Sequence, residues 1–304
     1  MKKIFSALLL IITSVIHAQS TTSTVIKITG TKFPFTIMEQ WINVYNKTHL
    51  GIKFELSKSI PADSADLMIA AHAFRAGELK TDETIVALNR YAQLPIVNSN
   101  RPDLAALQQK GFKQSDLATI FFSEEQNKTD GLNSPVTIYK RDKNVCATRS
   151  FTESIIGKQA TMYGTSVTGD DRALSVAVKN DLTGISYNNL GLVYNITTRK
   201  VADSIAIIPI DLNENGTIDN NENNYATLDN LLDFIDKTNN NKIPQEYVNV
   251  VFNKKKINKN TLAFLQWIIT EGQQYNRQFG FLNLDASVVL QQRHLLDVYL
   301  NAKK

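Results

Sequence analysis

The stretch ITGTKFPFTIMEQWINVYN, residues Ile28 to Asn46, changes its hydrophobic period partway along. Up to Gly30 it continues TVIKITG, a β-branched run that predicts a strand ending at the glycine. Beyond TKFPF, residues Ile37, Trp41, Val44 and Tyr45 recur at i, i+4, i+7 and i+8, the spacing of one helical face. Strand, glycine turn and helix form the opening unit of an α/β protein, and the alternation runs on down the chain. GIKFELS and ADLMIAA read as the next strands, and Thr84 to Asn98 as a long extended segment interrupted only by Pro95. DLAALQQKG and SDLATIFF read as short helices, and PVTIYKRD as a strand. Ser150 with Glu153 makes a capping box, which starts a helix at Ser150. GISYNN and SIAIIPI are further strands, and NYATLDNLLDFIDK sets Leu228, Leu231, Leu232 and Ile235 on one helical face. EYVNVVFN is a strand, and KNTLAFLQWIITEGQQYNRQFG a helix closed by Gly280.

Of the 304 residues 43% are hydrophobic and 20% charged, an ordinary globular balance with room for one large domain or two lobes. MKKIFSALLLIITSVIHAQS has Lys2 and Lys3, an apolar run to Ile16 and a small residue at Ala18. That order is a secretory signal peptide, residues 1–18, so the mature chain is expected to be exported and to start near Gln19. Without Lys2 and Lys3 the formal net charge falls from +4 to +2, too little for a nucleic-acid partner. The one dense basic run, NKKKINKN, has no interleaved aromatics and reads as a solvated loop. Cys146 is the only cysteine, so no intramolecular disulfide forms.

DLNENGTIDNNE, residues 211–222, matches a twelve-residue calcium loop slot by slot. Oxygen donors fall at Asp211, Asn213, Asn215, Thr217 (through its carbonyl), Asp219 and Glu222, with Gly216 at the sharp turn and Ile218 as the apolar anchor. A strand rather than a helix precedes Asp211, and there is one loop rather than a pair. The expectation is a structural Ca²⁺ clip of weak affinity, on the order of 10⁻⁴ to 10⁻³ M, rather than a sensor.

Enzymatic constellations are poor: the sequence lacks G-x-S-x-G, H-E-x-x-H, Walker and G-x-G-x-x-G patterns. His49, His72 and His294 are isolated, and Cys146 reads first as a buried thiol. Two strand-to-helix turns carry anion-binding geometry, where free N–H groups and the helix dipole favour negative charge. One is Gly30 to Phe33; the other, Lys140 to Ser150, carries Arg141, Thr148 and Arg149. On these residues alone, ordinary helix caps explain both turns as well.

The order of segments resembles the periplasmic phosphate-binding proteins of ABC importers, type II periplasmic binding proteins. ITGTKFPFTIMEQWINVYN is similar to the family's G-A-[ST]-F-P opening with its spaced Trp and Tyr, and ADLMIAAHAF to its V-D-[IF]-G strand. VTIYKRDKNVCATRSF resembles the strand and turn ending R-x-D-x-S-G-T, and LTGISYNNLGLVYN the P-G-A-I-G-Y segment. AFLQWIITEGQQYNRQFGFLNL resembles the family's G-Q helix and G-[YF] turn, and the acidic insert resembles a Bacteroidetes-like variant. The likeness spans nearly the whole mature chain. There are departures: the family's first hydroxyl ligand falls on Lys32 beside Thr31, and its Ser-Gly-Gly turn is missing around ELSKSIPADSAD. Its proton-accepting Asp becomes Ala71 next to His72, and the S-G-T turn becomes Cys146-Ala147-Thr148, while Arg141 and Thr148 are retained.

The resemblance implies an α/β, two-lobed, non-enzymatic solute-binding monomer with a ligand cleft between the lobes. Lobe 1 is expected over 19–90 plus 247–304, and lobe 2 over 91–246. It implies phosphate or a related oxyanion held near Thr31, Lys32, Phe33, Arg141, Cys146, Ala147 and Thr148, then delivered to an ABC permease in the membrane. Two alternatives stay open: an envelope scaffold or adhesion protein keeping the fold, and an exported hydrolase pairing Cys146 with His72 or His294.

Overall fold

A computed structural model describes residues 24–124, 132, 135–143, 145–238 and 241–303. The expected signal peptide lies outside these residues. Strands β1 (Thr24–Gly30), β2 (Ile52–Leu56) and β3 (Leu67–Ala70) pair in parallel with β1 in the middle. Parallel neighbours need a crossover, and α1 (Phe35–Tyr45) supplies it between β1 and β2. Trp41 on α1 is fully buried and donates its indole N–H to the Gly272 carbonyl at 2.9 Å, which ties the chain's two ends together. Truncating such a side chain costs about 3–5 kcal/mol.

Strand β9 (Gln245–Asn253) lies antiparallel between β3 and β4 (Glu83–Asn98), and β4 carries the sheet onward. On its other half β4 pairs antiparallel with β7 (Gly184–Asn189) and β8 (Ile205–Ile207). Parallel strands β5 (Thr137–Arg141) and β6 (Thr165–Val167) extend the sheet beyond β7. Pro95 does not interrupt β4: it stays in register opposite Tyr187, and its carbonyl accepts the Ile208 N–H at 3.3 Å. The register of β4 on β9 shifts between Ala87 and Asn89, a bulge that sharpens local twist. The Gln273 side chain holds the bulge, donating to the Leu88 carbonyl at 2.8 Å.

The remaining helices are α2 (Leu104–Lys110), α3 (Gln114–Phe122), α4 (Cys146–Ile156), α5 (Asp171–Lys179), α6 (Leu190–Val193), α7 (Leu228–Thr238), α8 (Lys259–Ile269) and α9 (Ala286–Ala302). They cover two separate hydrophobic cores. One gathers buried residues between Ile26 and Tyr91 with others from Val248 onward, Phe264 and Ile268 among them. The other gathers Ala92 to Ile243 together with Leu282. β4 changes core between Tyr91 and Ala92, so the molecule is a two-lobed α/β protein joined through its long strands.

Three local expectations are corrected. Helix α4 begins at Cys146, not Ser150; Ser150 is buried within it and donates to the carbonyls of Ala71 (2.9 Å) and Cys146 (3.0 Å). A contact from the other lobe has turned an apparent cap into a bolt. Helix α8 ends at Ile269, and 3-10 turns at Glu271–Tyr275 and Arg277–Phe279 lead to Gly280. The segments β6, α5, α6 and α9 go unread in the sequence, although α5 sets Leu174, Ser175 and Val178 on one buried face.

Candidate functional site

The ends of β1 and β3 and the start of α4 meet at the bottom of a cleft. Gly30 makes that meeting possible: its φ is +115°, and a Cβ there would sit 2.2 Å from the Ile69 carbonyl oxygen. The chain then leaves β1 through Thr31, whose N–H donates to the same carbonyl at 2.9 Å. From the other lobe, β5 delivers Arg141 and α4 presents its first turn. The resulting cavity has a volume of ≈ 950 Å³ and takes in Thr31, Lys32, Phe33, Arg141, Cys146 and Ala147.

Thr31 donates its hydroxyl to Cys146 Sγ at 3.0 Å, linking the two turns directly. Lys32 Nζ is committed across the mouth to Asp170 at 3.3 Å. The Phe33 ring packs against Tyr91, centroids 4.8 Å apart, and lies parallel to Phe281 at 6.1 Å, which makes an apolar wall. Thr148 departs from expectation: it is buried, and its hydroxyl accepts the Tyr187 O–H at 2.8 Å instead of lining the cavity. The first i→i−4 bond of α4 runs from the Arg149 N–H to the Val145 carbonyl. The N–H groups of Cys146, Ala147 and Thr148 precede it and have no helical acceptor, so the cleft receives a helix N-terminus.

Arg141 is the unusual side chain. It is 8% exposed, and its Nε and Nη1 have no hydrogen-bond partner. The nearest acid, Asp171, stands 3.7 Å from Nη1, an ion pair without a hydrogen bond. Burial pushes the Asp171 carboxyl above the usual carboxylate range, and Arg141 only partly opposes this. A buried guanidinium with unmet donors is costly unless an acceptor arrives.

The sequence reads Cys146 first as a buried thiol and pairs it with His72 or His294 only as an open alternative; the structure brings Cys146 and His72 together. His72 Nδ1 lies 3.0 Å from Cys146 Sγ. Burial pushes the thiol up, but hydrogen bonds from His72, Thr31 and the Ala71 backbone outweigh it and hold the thiol below its ordinary value. No spacing in the sequence announces this pair, because 74 residues separate its members.

At the cleft wall the lobes are clasped. Arg149 forks onto both Glu78 oxygens at 2.9 Å and donates to the Ala73 carbonyl at 2.8 Å, and Arg75 pairs with Glu153. The Arg149 hydrogen bond, then the Arg75 N–H, hold the Glu78 carboxyl down at about 2.

The loop 211–222 lies away from the cleft, outside the cavity lining. It docks on the end of α2: the Ile218 N–H donates to the Gln109 carbonyl at 2.8 Å, and the Ile218 side chain fills the space over Gly111 (φ +72°), where a Cβ would meet it at 2.3 Å. The loop closes on itself, Asp211 accepting the Gly216 N–H at 2.7 Å and Glu222 the Asn213 N–H at 2.9 Å. Asn213 and Asn215 turn their side-chain amides to Asp219, at 2.8 and 3.0 Å. Among the described residues no three His, Cys, Asp or Glu side chains converge as a ready metal cluster. Asp211 is nevertheless fully buried with Oδ1 unpartnered, a buried carboxylate oxygen of the kind that can take a cation.

No family model and no curated protein matches the chain. Solved structures do. An ABC-type phosphate transport receptor from Vibrio cholerae is 13% identical, with 86% of this chain and 100% of that one covered at a TM-score of 0.62. A Clostridium perfringens protein, assigned to phosphate ABC transport and holding bound phosphate, gives 14%, 86% and 100%, and 0.63. PstS from Borrelia burgdorferi gives 16%, 86% and 100%, and 0.52. At such identities the likeness concerns the fold: a two-lobed, periplasmic-binding-protein-like architecture. No helix among the described residues is long and apolar enough to cross a membrane.

Proposed function

We propose that this chain is an exported solute-binding protein that takes phosphate or a related oxyanion in its cleft and passes it to an ABC permease. The observation that carries the reading is Arg141, nine-tenths buried, with unpartnered donors, and open to a cavity that also receives the α4 N-terminus. An oxyanion there would meet the Arg141 donors and the leading N–H groups of α4, charge-assisted bonds at a helix N-terminus. Fold likeness to phosphate receptors supports the same choice. The lobes are 19–90 plus 247–304 and 91–246, and β4 and β9 act as the hinge around which the cleft opens and closes.

The loop 211–222 is a Ca²⁺ clip that pins the connection between β8 and α7. Asp211 through Oδ1, Asn213, Asn215, Thr217 through its carbonyl, Asp219 and Glu222 would hold the ion, with the two Asn amides turned over.

A ligand that binds only the folded state raises the melting temperature with its concentration. Phosphate should therefore stabilise the unmutated protein saturably. A melting temperature indifferent to phosphate, sulfate and arsenate alike would overturn the reading.

A further inference from the structure

Inorganic phosphate needs neither the Cys146 thiol nor the His72 ring, yet both residues open on the cleft. Sulfur attacks as the thiolate, which a contacting imidazole promotes by taking the proton and a helix N-terminus favours electrostatically. Here Sγ sits on the first residue of α4, 3.0 Å from His72 Nδ1 and 3.0 Å from the Thr31 hydroxyl. Arg141 adds an independent observation, because its unpartnered, buried donors select for negative charge in the same cavity. Phe33, Phe281, Leu192 and Ile196 add an apolar patch to a lining that also holds charged side chains, Lys58, Arg149, Asp170 and Asp171 among them. The cleft's volume of ≈ 950 Å³ far exceeds a tetrahedral oxyanion. It falls within the range of about 300–1,000 Å³ found for pockets that hold organic ligands.

We propose that the Cys146–His72 pair is a covalent-capture site for small organic carboxylates that carry an electrophilic carbon. Arg141 draws in the carboxylate, His72 Nδ1 takes the thiol proton, and the sulfur electron pair forms the S–C bond. The leaving group departs with the electrons of the bond it held. With iodoacetate as the electrophile, the products are S-carboxymethylated Cys146 and iodide, and the proton passes from His72 to solvent. No oxidant or reductant takes part. The site overlaps that of the proposed solute but does not depend on phosphate being the solute.

The test compares iodoacetate with neutral iodoacetamide on the folded full chain at neutral pH, reading Cys146 modification by intact mass. Each rate is divided by that of a small free thiol. The expected normalised preference for iodoacetate is about 10-fold, from electrostatic steering. Arg141→Gln should bring the normalised iodoacetate-to-iodoacetamide ratio down to about one. His72→Asn should slow both reagents by about 100-fold, the scale of a lost general base. A normalised ratio at or below one in the unmutated protein overturns the proposal, as do unchanged rates in folded His72→Asn. The unmutated ratio needs no variant to fold. Calorimetry with phosphate reads the solute separately, so either idea can fail alone.

Discussion

Lys32 Nζ stands 3.3 Å from Asp170 Oδ2, so one ion pair bridges the cleft mouth between residues 138 apart in sequence. Both side chains remain substantially exposed, 49% and 40%, so solvent screens the pair and its worth is small, about 0–1 kcal/mol. Its cost to the site is larger in kind, because it ties up a cation and places a carboxylate at the entrance.

Asp170→Asn keeps the side-chain oxygen that caps α5 at the Arg172 N–H (3.1 Å) but removes the charge. The expected outcome is a melting temperature close to that of the unmutated protein and a several-fold tighter phosphate Kd. The gain should shrink with added salt, over a Debye length of about 10 Å at 0.1 M. Calorimetry at two ionic strengths checks it; weaker binding would instead make the pair a closing latch.

Arg141→Gln removes the buried guanidinium while keeping a polar side chain. Hydrogen bonds to charged groups contribute about 1.5–3 kcal/mol, so phosphate affinity should fall about 10- to 100-fold. Melting without ligand should change far less, since Nε and Nη1 make no hydrogen bond there and Asp171 stands 3.7 Å off. A ligand-free collapse in stability with affinity intact would show Arg141 serving Asp171 rather than an anion.

Much of the fold is legible in the chain, and the misses at single residues share a cause. The strand–glycine–helix unit around Gly30, the apolar face of α7 and the placement of Arg141 all follow from local period and turn chemistry. Local reading fails at Ser150, Thr148 and His72 because a residue from elsewhere settles each one. Ser150 answers to Ala71, Thr148 to Tyr187, and His72 to Cys146. Local pattern offers no sign of such partners. Helix α9 escapes notice because it buries little beyond Leu296, leaving its apolar residues without a strong face.

The clasp between the lobes gives a pH prediction. The Arg149 fork depresses the folded Glu78 pKa from 4.5 to about 2. A depressed carboxylate contributes stability above its unfolded pKa and loses it as pH falls through the folded one. Stability should therefore drop between pH 4.5 and about 2, and Glu78→Gln should flatten that part of the acid limb. Denaturant midpoints measured across the window would show this, and parallel curves for the two proteins would count against it.

Calcium should raise the melting temperature of the unmutated protein relative to chelator. The Asp211→Ala/Glu222→Ala double variant should lose that difference while its phosphate affinity stays near normal, because the loop lies outside the cleft. Equal melting in calcium and chelator would leave the buried Asp211 oxygen without its proposed cation.

The most direct test of the cleft as an oxyanion site is titration calorimetry of phosphate into protein freed of ligand by unfolding and refolding. The expected result is saturable binding at one site per chain, abolished or strongly weakened in Arg141→Gln. A folded protein that gives no binding heat with phosphate, sulfate or arsenate at two temperatures would contradict it.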